Sequence, residues 1–205
     1  MKTRKTRTLG LWQRAFTALL LVLLSNIGLA QAQRIRVAVV TDGPTDREFV
    51  FNAETIRREV ANVVGSDLAI ELPEQKRFAG DWSVAGVDAA IDRALADAEV
   101  DVVLLFGILA SHQGARRRTL DKPVIAPIVI DPVLQEFPLA AGVSGRHNFT
   151  YAADFQSVGA DVRLFYDVVR FKHVAALLDE ALYDALPQLR TKADELTAAL
   201  GARIT

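Results

Sequence analysis

Short β-branched runs alternate along the chain with longer stretches in which an apolar residue recurs every three or four positions. The first pattern is typical of buried strands and the second of helices with one buried face. The β-branched runs predict strands at residues 34–40, 68–72, 100–106 and 123–130. The apolar stripes predict helices behind a capping box at 45–48, from 84 to 98 and from 108 to 118. This βαβαβαβ order predicts a doubly wound α/β domain with a parallel sheet.

Three local signals refine these elements. Gly65 is expected to end the first helix, because glycine adopts the left-handed conformation that closes a helix. Ser83 is expected to cap the second helix, with Trp82 and Val87 forming a hydrophobic staple around it. Pro127 lies inside the fourth predicted strand and indicates a bulge or a sheet edge there.

A second, shorter pattern of elements follows a loop rich in proline, glycine and serine at residues 131–153. Asp154 is the expected N-cap of a helix whose apolar stripe runs from 155 to 169. A strand is predicted at 173–178, a helix at 182–200 that ends at Gly201, and the first residues of another strand at 202–205. The sequence therefore predicts a complete α/β unit followed by an incomplete one.

The first 32 residues have the composition of an export signal. Five basic residues and no acidic ones precede an apolar stretch of ten residues at 15–24, and the small residues Ala30 and Ala32 follow. This order predicts a signal peptide cleaved after Ala32. A retained membrane anchor is the alternative, although the run is shorter than the ~20 residues that span a bilayer. Export predicts a periplasmic protein that meets the membrane only through a partner or an uncleaved leader.

Charge and cysteine content narrow the function further. The chain has 205 residues, 24 basic and 25 acidic, and no cysteine. Without the leader's five basic residues the remainder carries a net charge of −6, so nothing indicates a nucleic-acid partner. The absence of cysteine excludes disulfides, thiol catalysis and thiolate zinc sites.

The candidate binding residues follow the predicted strands, where the loops of an open α/β sheet gather around a ligand. Amides at the start of the third helix, with Ser111, are expected to hold an anionic group, and Asp42 or Asp131 to meet an ammonium. The alternative is that these residues are ordinary turn and cap residues. The candidates in these loops are Thr41, Asp42, Gly43, Gly107, Ser111, Asp131 and Pro132.

Signatures of catalysis and cofactor binding are missing from the sequence. It contains no GxGxxG after the first strand, no GxxxxGK[ST], no GxSxG and no HExxH. Three scattered histidines give no short-spaced metal pair, and the basic run at 116–118 suits a helix C-terminus, with anion binding as the alternative. Tyr151, in the loop, is the aromatic residue best placed to stack on a ligand, ahead of Trp82 and Tyr166. No catalytic residue, metal or cofactor is predicted.

The ordered segments RIRVAVVTDGP, VDVVLLFGILAS, KPVIAPIVIDP and GRHNFTYAADFQSVGADVRLFYDVVRFKHVAALLDE, behind an export signal, resemble type I periplasmic binding proteins. Within these, the chain looks most like the substrate-binding subunits of ABC transporters. The resemblance covers most of residues 34–205. It implies two α/β lobes that close on a small solute, with a membrane permease as partner.

Under this resemblance, residues 33–147 form the first lobe, and residues 148–205 form the hinge crossing and the opening of a second lobe. Asn148 and Tyr151 would then lie near the hinge and join the candidate binding residues. The implied function is solute binding without chemistry. Two alternatives stay open: an envelope interaction or sensor module that docks on a transporter or efflux component, and an exported enzyme that uses Asp42 and Asp131.

Overall fold

The computed structural model describes residues 33–44, 53–65, 68–152 and 157–205. The strands are β1 (Gln33–Thr41), β2 (Leu68–Glu71), β3 (Arg77–Ala79), β4 (Val102–Leu105), β5 (Val124–Ala126), β6 (Phe149–Tyr151), β7 (His173–Val174) and β8 (Arg203–Ile204). The helices are α1 (Ala53–Val64), α2 (Val84–Ala96), α3 (Ile108–Arg116), α4 (Val158–Val169), α5 (Glu180–Ala185) and α6 (Pro187–Ala199). The predicted signal peptide, the capping box and the Asp154 cap lie outside the described residues.

The main sheet is parallel throughout its described strand pairs and confirms the predicted α/β class. Its strands are ordered β2-β1-β4-β5-β6, and β3 also pairs with β1. β1 is long enough to pair with β2 through residues 33–36 and with β3 through residues 39–41 on the same side. Pro73 and a single 3₁₀ turn at Glu74–Lys76 separate β2 from β3, so the two short strands act as one interrupted edge.

If β2 and β3 are counted as one strand and the strands are renumbered along the chain, the order becomes 2-1-3-4-5, one of the two common orders of doubly wound folds. Right-handed crossovers then place α1 on one face of the sheet and α2 and α3 on the other. Arg117 joins α2 to the end of α3, because its guanidinium lies 3.2 Å from Asp88 and 2.5 Å from Asp92. The hydrophobic core lies between the sheet and these two helices and includes Val40, Ile91, Val103, Leu105 and Leu109.

Two predicted helix boundaries are confirmed by their caps. Gly65 has a φ of 70° and donates to the carbonyl of Ala61, which closes α1. The Ser83 hydroxyl accepts from the Gly86 amide at the start of α2. The α4 helix is capped by Ser157 in the same way and begins at Val158.

Prolines make two elements shorter than predicted. The strand expected at 123–130 is only Val124–Ala126, because Pro127 has no N–H for the ladder. The helix expected at 182–200 is two helices, with Pro187 at the start of the second, where a missing N–H is tolerated. A third element, the strand expected at 173–178, is also shorter than predicted, without a proline, and has only two residues, His173 and Val174.

Two short strands of the main sheet, β3 and β6, lie in segments that were predicted as loops. β6 pairs in parallel with β5 along its whole length, Val124 lying beside Phe149 and Ala126 beside Tyr151. The main sheet therefore extends past residue 147, where the sequence placed the end of the first lobe. Residues assigned to a hinge are the outer strand of the first sheet.

The remaining elements form a small C-terminal unit. β7 and β8 pair in parallel, His173 beside Arg203 and Val174 beside Ile204. The predicted strand start at 202–205 is thus confirmed. Leu186 is fully buried and Ala185 packs against the core of the first unit. In the described part of the chain, no helix has both the length and the apolar character needed to cross a membrane.

Candidate binding site at the carboxyl edge of the sheet

The chain reverses its direction of winding between β1 and β4, which are neighbours in the sheet. In folds with this strand order, ligands bind outside the carboxyl ends of the strands at that point. Asp42 and Gly43 follow β1 there, and Gly107 follows β4. The structure thus brings the first two predicted loops together at the edge where a ligand is expected.

The Asp42 carboxylate lies against the N-terminus of α3. One oxygen accepts from the Ala110 amide at 2.7 Å and the other from the Leu109 amide at 3.1 Å. Burial raises the pKa of Asp42, and the amides of Ala110, Leu109 and Ile108 partly oppose that rise. The amides that were predicted to bind an anionic ligand therefore bind the Asp42 carboxylate of the same chain.

Gly107 is required by this arrangement. Its φ of −172° is ordinary extended backbone, but a Cβ at this position would overlap the Asp42 carboxylate. Glycine therefore allows the carboxylate, rather than a ligand, to approach the helix start.

We expect Gly107→Ala to destabilise the protein by about 2 kcal/mol, because the methyl group displaces Asp42 from its two amides. Urea unfolding measures this change. In Asp42→Ala, the same glycine substitution should have less than half that effect, since the carboxylate is already gone. Equal losses in both backgrounds would contradict the proposed coupling.

Trp82 provides an exposed aromatic surface beside Asp42. Its amide donates to the Asp42 carbonyl at 2.8 Å, and the Gly80 amide donates to the Thr41 carbonyl at 2.9 Å. The backbone of Trp82 has a φ of 67°, and a Cβ on Gly43 would overlap the indole ring. The ring is thus seated on Gly43, yet 54% of the residue is exposed. Trp82 directly precedes the Ser83 cap of α2, as predicted, and its ring lies against Gly43 at the carboxyl edge.

The hydroxyls of the candidate site bind backbone atoms. Thr41 donates to the Gly43 carbonyl at 2.9 Å, which closes the turn after β1. Ser111 is fully buried and donates to the Leu105 carbonyl at 3.2 Å. Ser111 therefore faces the sheet rather than the surface on which Trp82 lies.

Asp131 is 2% exposed and joins two parts of the chain. One carboxylate oxygen accepts from the amides of Val133 and Leu134 at 2.8 and 3.0 Å, and the other accepts from Val158 at 3.1 Å. Val158 is the first residue of α4, so Asp131 links the loop after β5 to the C-terminal unit. Pro132 begins the tight turn that this carboxylate holds, and its carbonyl accepts from Phe137.

Tyr151 and Asn148 lie at opposite ends of β6. The Tyr151 hydroxyl donates to the Pro138 carbonyl at 3.1 Å, and its ring packs edge-on against Phe137 at 5.0 Å between centroids. The Asn148 amide donates to the Leu120 carbonyl at 2.9 Å, at the amino edge of the sheet. The structure therefore does not bring Asn148 together with Asp42 and Gly107.

A buried polar group lies beneath this edge. His112 on α3 and Gln135 in the loop after β5 are each 1% exposed. Both ring nitrogens of His112 and the side-chain nitrogen of Gln135 have no hydrogen-bond partner. Burial and, to a lesser extent, the charge of Arg116 lower the pKa of His112 to about 4, and the Gln135 backbone partly opposes them. His112 is therefore neutral at pH 7.

Asp179 is the acidic group from the C-terminal unit that acts on the site, since its charge raises the pKa of Asp42. Trp82 was a candidate for stacking behind Tyr151, but neither its position beside Asp42 nor the approach of Asp179 could be predicted, because both depend on contacts between distant segments. Among the described residues, no group of three or more histidine and carboxylate side chains is placed to hold a metal ion.

Of the predicted site residues, Thr41, Asp42, Gly43 and Gly107 lie together with Trp82 at the carboxyl edge. This edge presents an aromatic face, backbone turns and acidic side chains. Such an arrangement can hold a small molecule by stacking and hydrogen bonding. Comparison with family models, with curated proteins and with solved structures gives no match to this chain.

Proposed function

We propose that the protein binds a small solute at the carboxyl edge of its main sheet, without chemistry, as the exported substrate-binding subunit of an ABC-type transport system. The observation that carries the proposal is the Trp82 ring, which is seated on Gly43 at the point where the strand order reverses. The periplasmic location, the permease partner and the binding-protein lobe belong to the proposal through the sequence resemblance.

The exposed ring is suited to stacking. An aromatic side chain that the backbone already holds loses little conformational freedom when a ligand covers it. Trp82 is fixed by the hydrogen bond that its amide donates to the Asp42 carbonyl and by the close contact of its ring with Gly43. A flat apolar or cationic solute face laid on the indole therefore gains burial and ring contacts together.

The charges and hydrogen bonds at this edge disfavour a solute that carries only negative charge. Asp42 occupies the α3 amides, and Asp179 adds a second negative charge nearby. An anionic group at this edge would meet both carboxylates without free helix amides to compensate. Neutral and cationic solutes are the classes that the edge accommodates.

Trp82→Ala is expected to weaken solute binding at least tenfold with the fold retained, because half of the side chain is exposed and little core is lost. The measurement is a thermal-shift screen of neutral and cationic amino acids, sugars and small carboxylates, followed by calorimetry on any hit. Phe165→Ala on α4 is the matched control, since Phe165 is also half exposed and should leave binding unchanged.

Two results would count against the proposal. One is a well-folded protein whose melting temperature no solute raises. The other is a solute whose affinity is the same in Trp82→Ala and in the wild type, because its site then lies elsewhere.

A docking module for another envelope protein is the second candidate, and α4 favours it. No residue of this helix is buried, and Leu164, Phe165 and Val168 are 65%, 50% and 77% exposed. A photo-crosslinker at position 168 in intact cells distinguishes this function. A single membrane-transporter adduct that Leu164→Glu abolishes, with no solute hit, would favour docking, whereas a crosslinker at exposed Arg190 should give no such adduct.

A further inference from the structure

A pocket lies at the amino edge of the sheet, opposite Trp82. Two loops form it: the one between α3 and β5, and the one that precedes β6. Its volume is about 580 Å³, within the range of small-molecule sites. Its polar lining consists of Arg118, Thr119, Asp121, Arg146, His147 and Asn148. We call this site the basic pocket.

The two loops are fixed to each other. The Asn148 side chain donates to the Leu120 carbonyl at 2.9 Å, and the Asn148 carbonyl accepts from Val124 at 2.8 Å. Asn148 has a φ of 57°, a conformation that asparagine tolerates better than most residues. Hydrogen bonds of the Asn148 side chain and backbone therefore hold the two loops of the basic pocket together.

Arg146 is held in place inside this pocket. Its guanidinium donates to the Ala115 carbonyl at the end of α3 and lies 6.0 Å from the centre of the Phe149 ring. Arginine has five N–H donors, and these contacts use one of them. In the described part of the chain Arg146 makes no ion pair, so most of its donors are open to a ligand.

The charge balance of the pocket is positive. Two guanidiniums, Arg118 and Arg146, share it with one carboxylate, Asp121. The neighbouring Arg117 contrasts with them, because Asp88 and Asp92 neutralise it on the helix surface. Among the described residues neither Arg118 nor His147 forms such a pair.

We propose that the basic pocket binds a phosphate group. Guanidinium groups match the oxygens of phosphate with parallel N–H donors, and the Thr119 hydroxyl and His147 ring add further donors. This site is separate from the solute site and does not depend on it, because the two lie at opposite edges of the sheet. The phosphate belongs to a small molecule in solution or to a lipid headgroup.

Titration of the full chain with inorganic phosphate at constant ionic strength, followed by NMR or calorimetry, tests the proposal. We expect saturable binding that chloride at equal ionic strength does not reproduce. Arg118→Ala and Arg146→Ala should each weaken it at least fivefold, and Asp121→Asn should strengthen it. Arg190→Ala, an exposed arginine on α6, is the matched control and should change nothing.

Vesicles of phosphatidylcholine with and without phosphatidic acid distinguish the two phosphate sources. Flotation with phosphatidic acid alone, lost in Arg118→Ala, assigns the pocket to a lipid headgroup, whereas binding of free phosphate without flotation assigns it to a solute. Arg118 is exposed, so its variant should fold even if Arg146→Ala does not. Phosphate and vesicle binding that are absent, or that are unchanged in Arg118→Ala, would overturn the proposal.

Discussion

Replacing Asp42 with alanine is expected to lower the free energy of unfolding by about 3 kcal/mol, the effect of removing two charge-assisted hydrogen bonds at a helix start. The amides of Leu109 and Ala110 lose their acceptor, and both residues are buried, so water cannot readily replace the carboxylate. Urea unfolding at pH 7 measures the loss. Asp42→Asn should lose less, because its amide oxygen still accepts one bond.

Asp194→Ala is the control for this substitution. Asp194 is exposed on α6, and removal of an exposed carboxylate typically changes stability by less than ~0.5 kcal/mol. If Asp42→Ala unfolds at the same urea concentration as Asp194→Ala, the carboxylate does not hold the α3 terminus. The carboxyl edge between β1 and β4 would then be open to an anionic ligand.

The stability of the protein is expected to fall by about 3 kcal/mol between pH 6.5 and pH 4 through His112 alone, the free energy of a pKa depressed by two to three units. Burial lowers the pKa of His112 to about 4 in the folded chain, while the unfolded chain binds the proton near pH 6.5. The unfolded state therefore takes up a proton first as the pH falls. This histidine's effect is absent above pH 7 and complete below pH 4.

His112→Leu should remove that acid sensitivity. Leucine has a similar volume and leaves no unpartnered ring nitrogen, so the stability at pH 7 should be equal or higher. Urea unfolding of both proteins from pH 7 to pH 4.5 gives the difference curve, in which shared carboxylate effects cancel. His147→Leu, at an exposed histidine, should follow the wild type. Parallel curves for His112→Leu and the wild type would contradict the assignment.

The sequence predicts the strands best where they are buried on both faces. β4 is a continuous apolar run and β1 contains one at residues 37–40, and the positions and parallel pairing of both strands are confirmed. β6 was missed because three residues are too short for a periodic signal and stand in a loop rich in glycine and serine. Pro127 indicated an irregularity in its strand, whereas the helix at 182–200 was predicted to run through Pro187, and the point at which each element ends depends on the hydrogen bonds around it.

The sequence predicted where the candidate site lies but not which residues contact each other there. The loops after β1 and β4 meet as expected, because parallel neighbours end at one edge. The partner of the α3 amides was not predictable, since Asp42 lies 67 residues away from Leu109 in the sequence. The spacing placed Trp82 next to a helix cap, as in the structure, but its hydrogen bond to Asp42 and its contact with Gly43 join distant segments and could not be predicted.

The interrupted edge of the main sheet affects how the protein behaves at high concentration. A long exposed edge strand is a template on which another chain can add. Here β2 contributes four residues and β3 three, with Pro73 and a 3₁₀ turn between them, so no continuous row of open N–H and C=O groups runs along that side. β6, at the other end of the strand order, is equally short. The sheet is thereby protected against strand-by-strand aggregation.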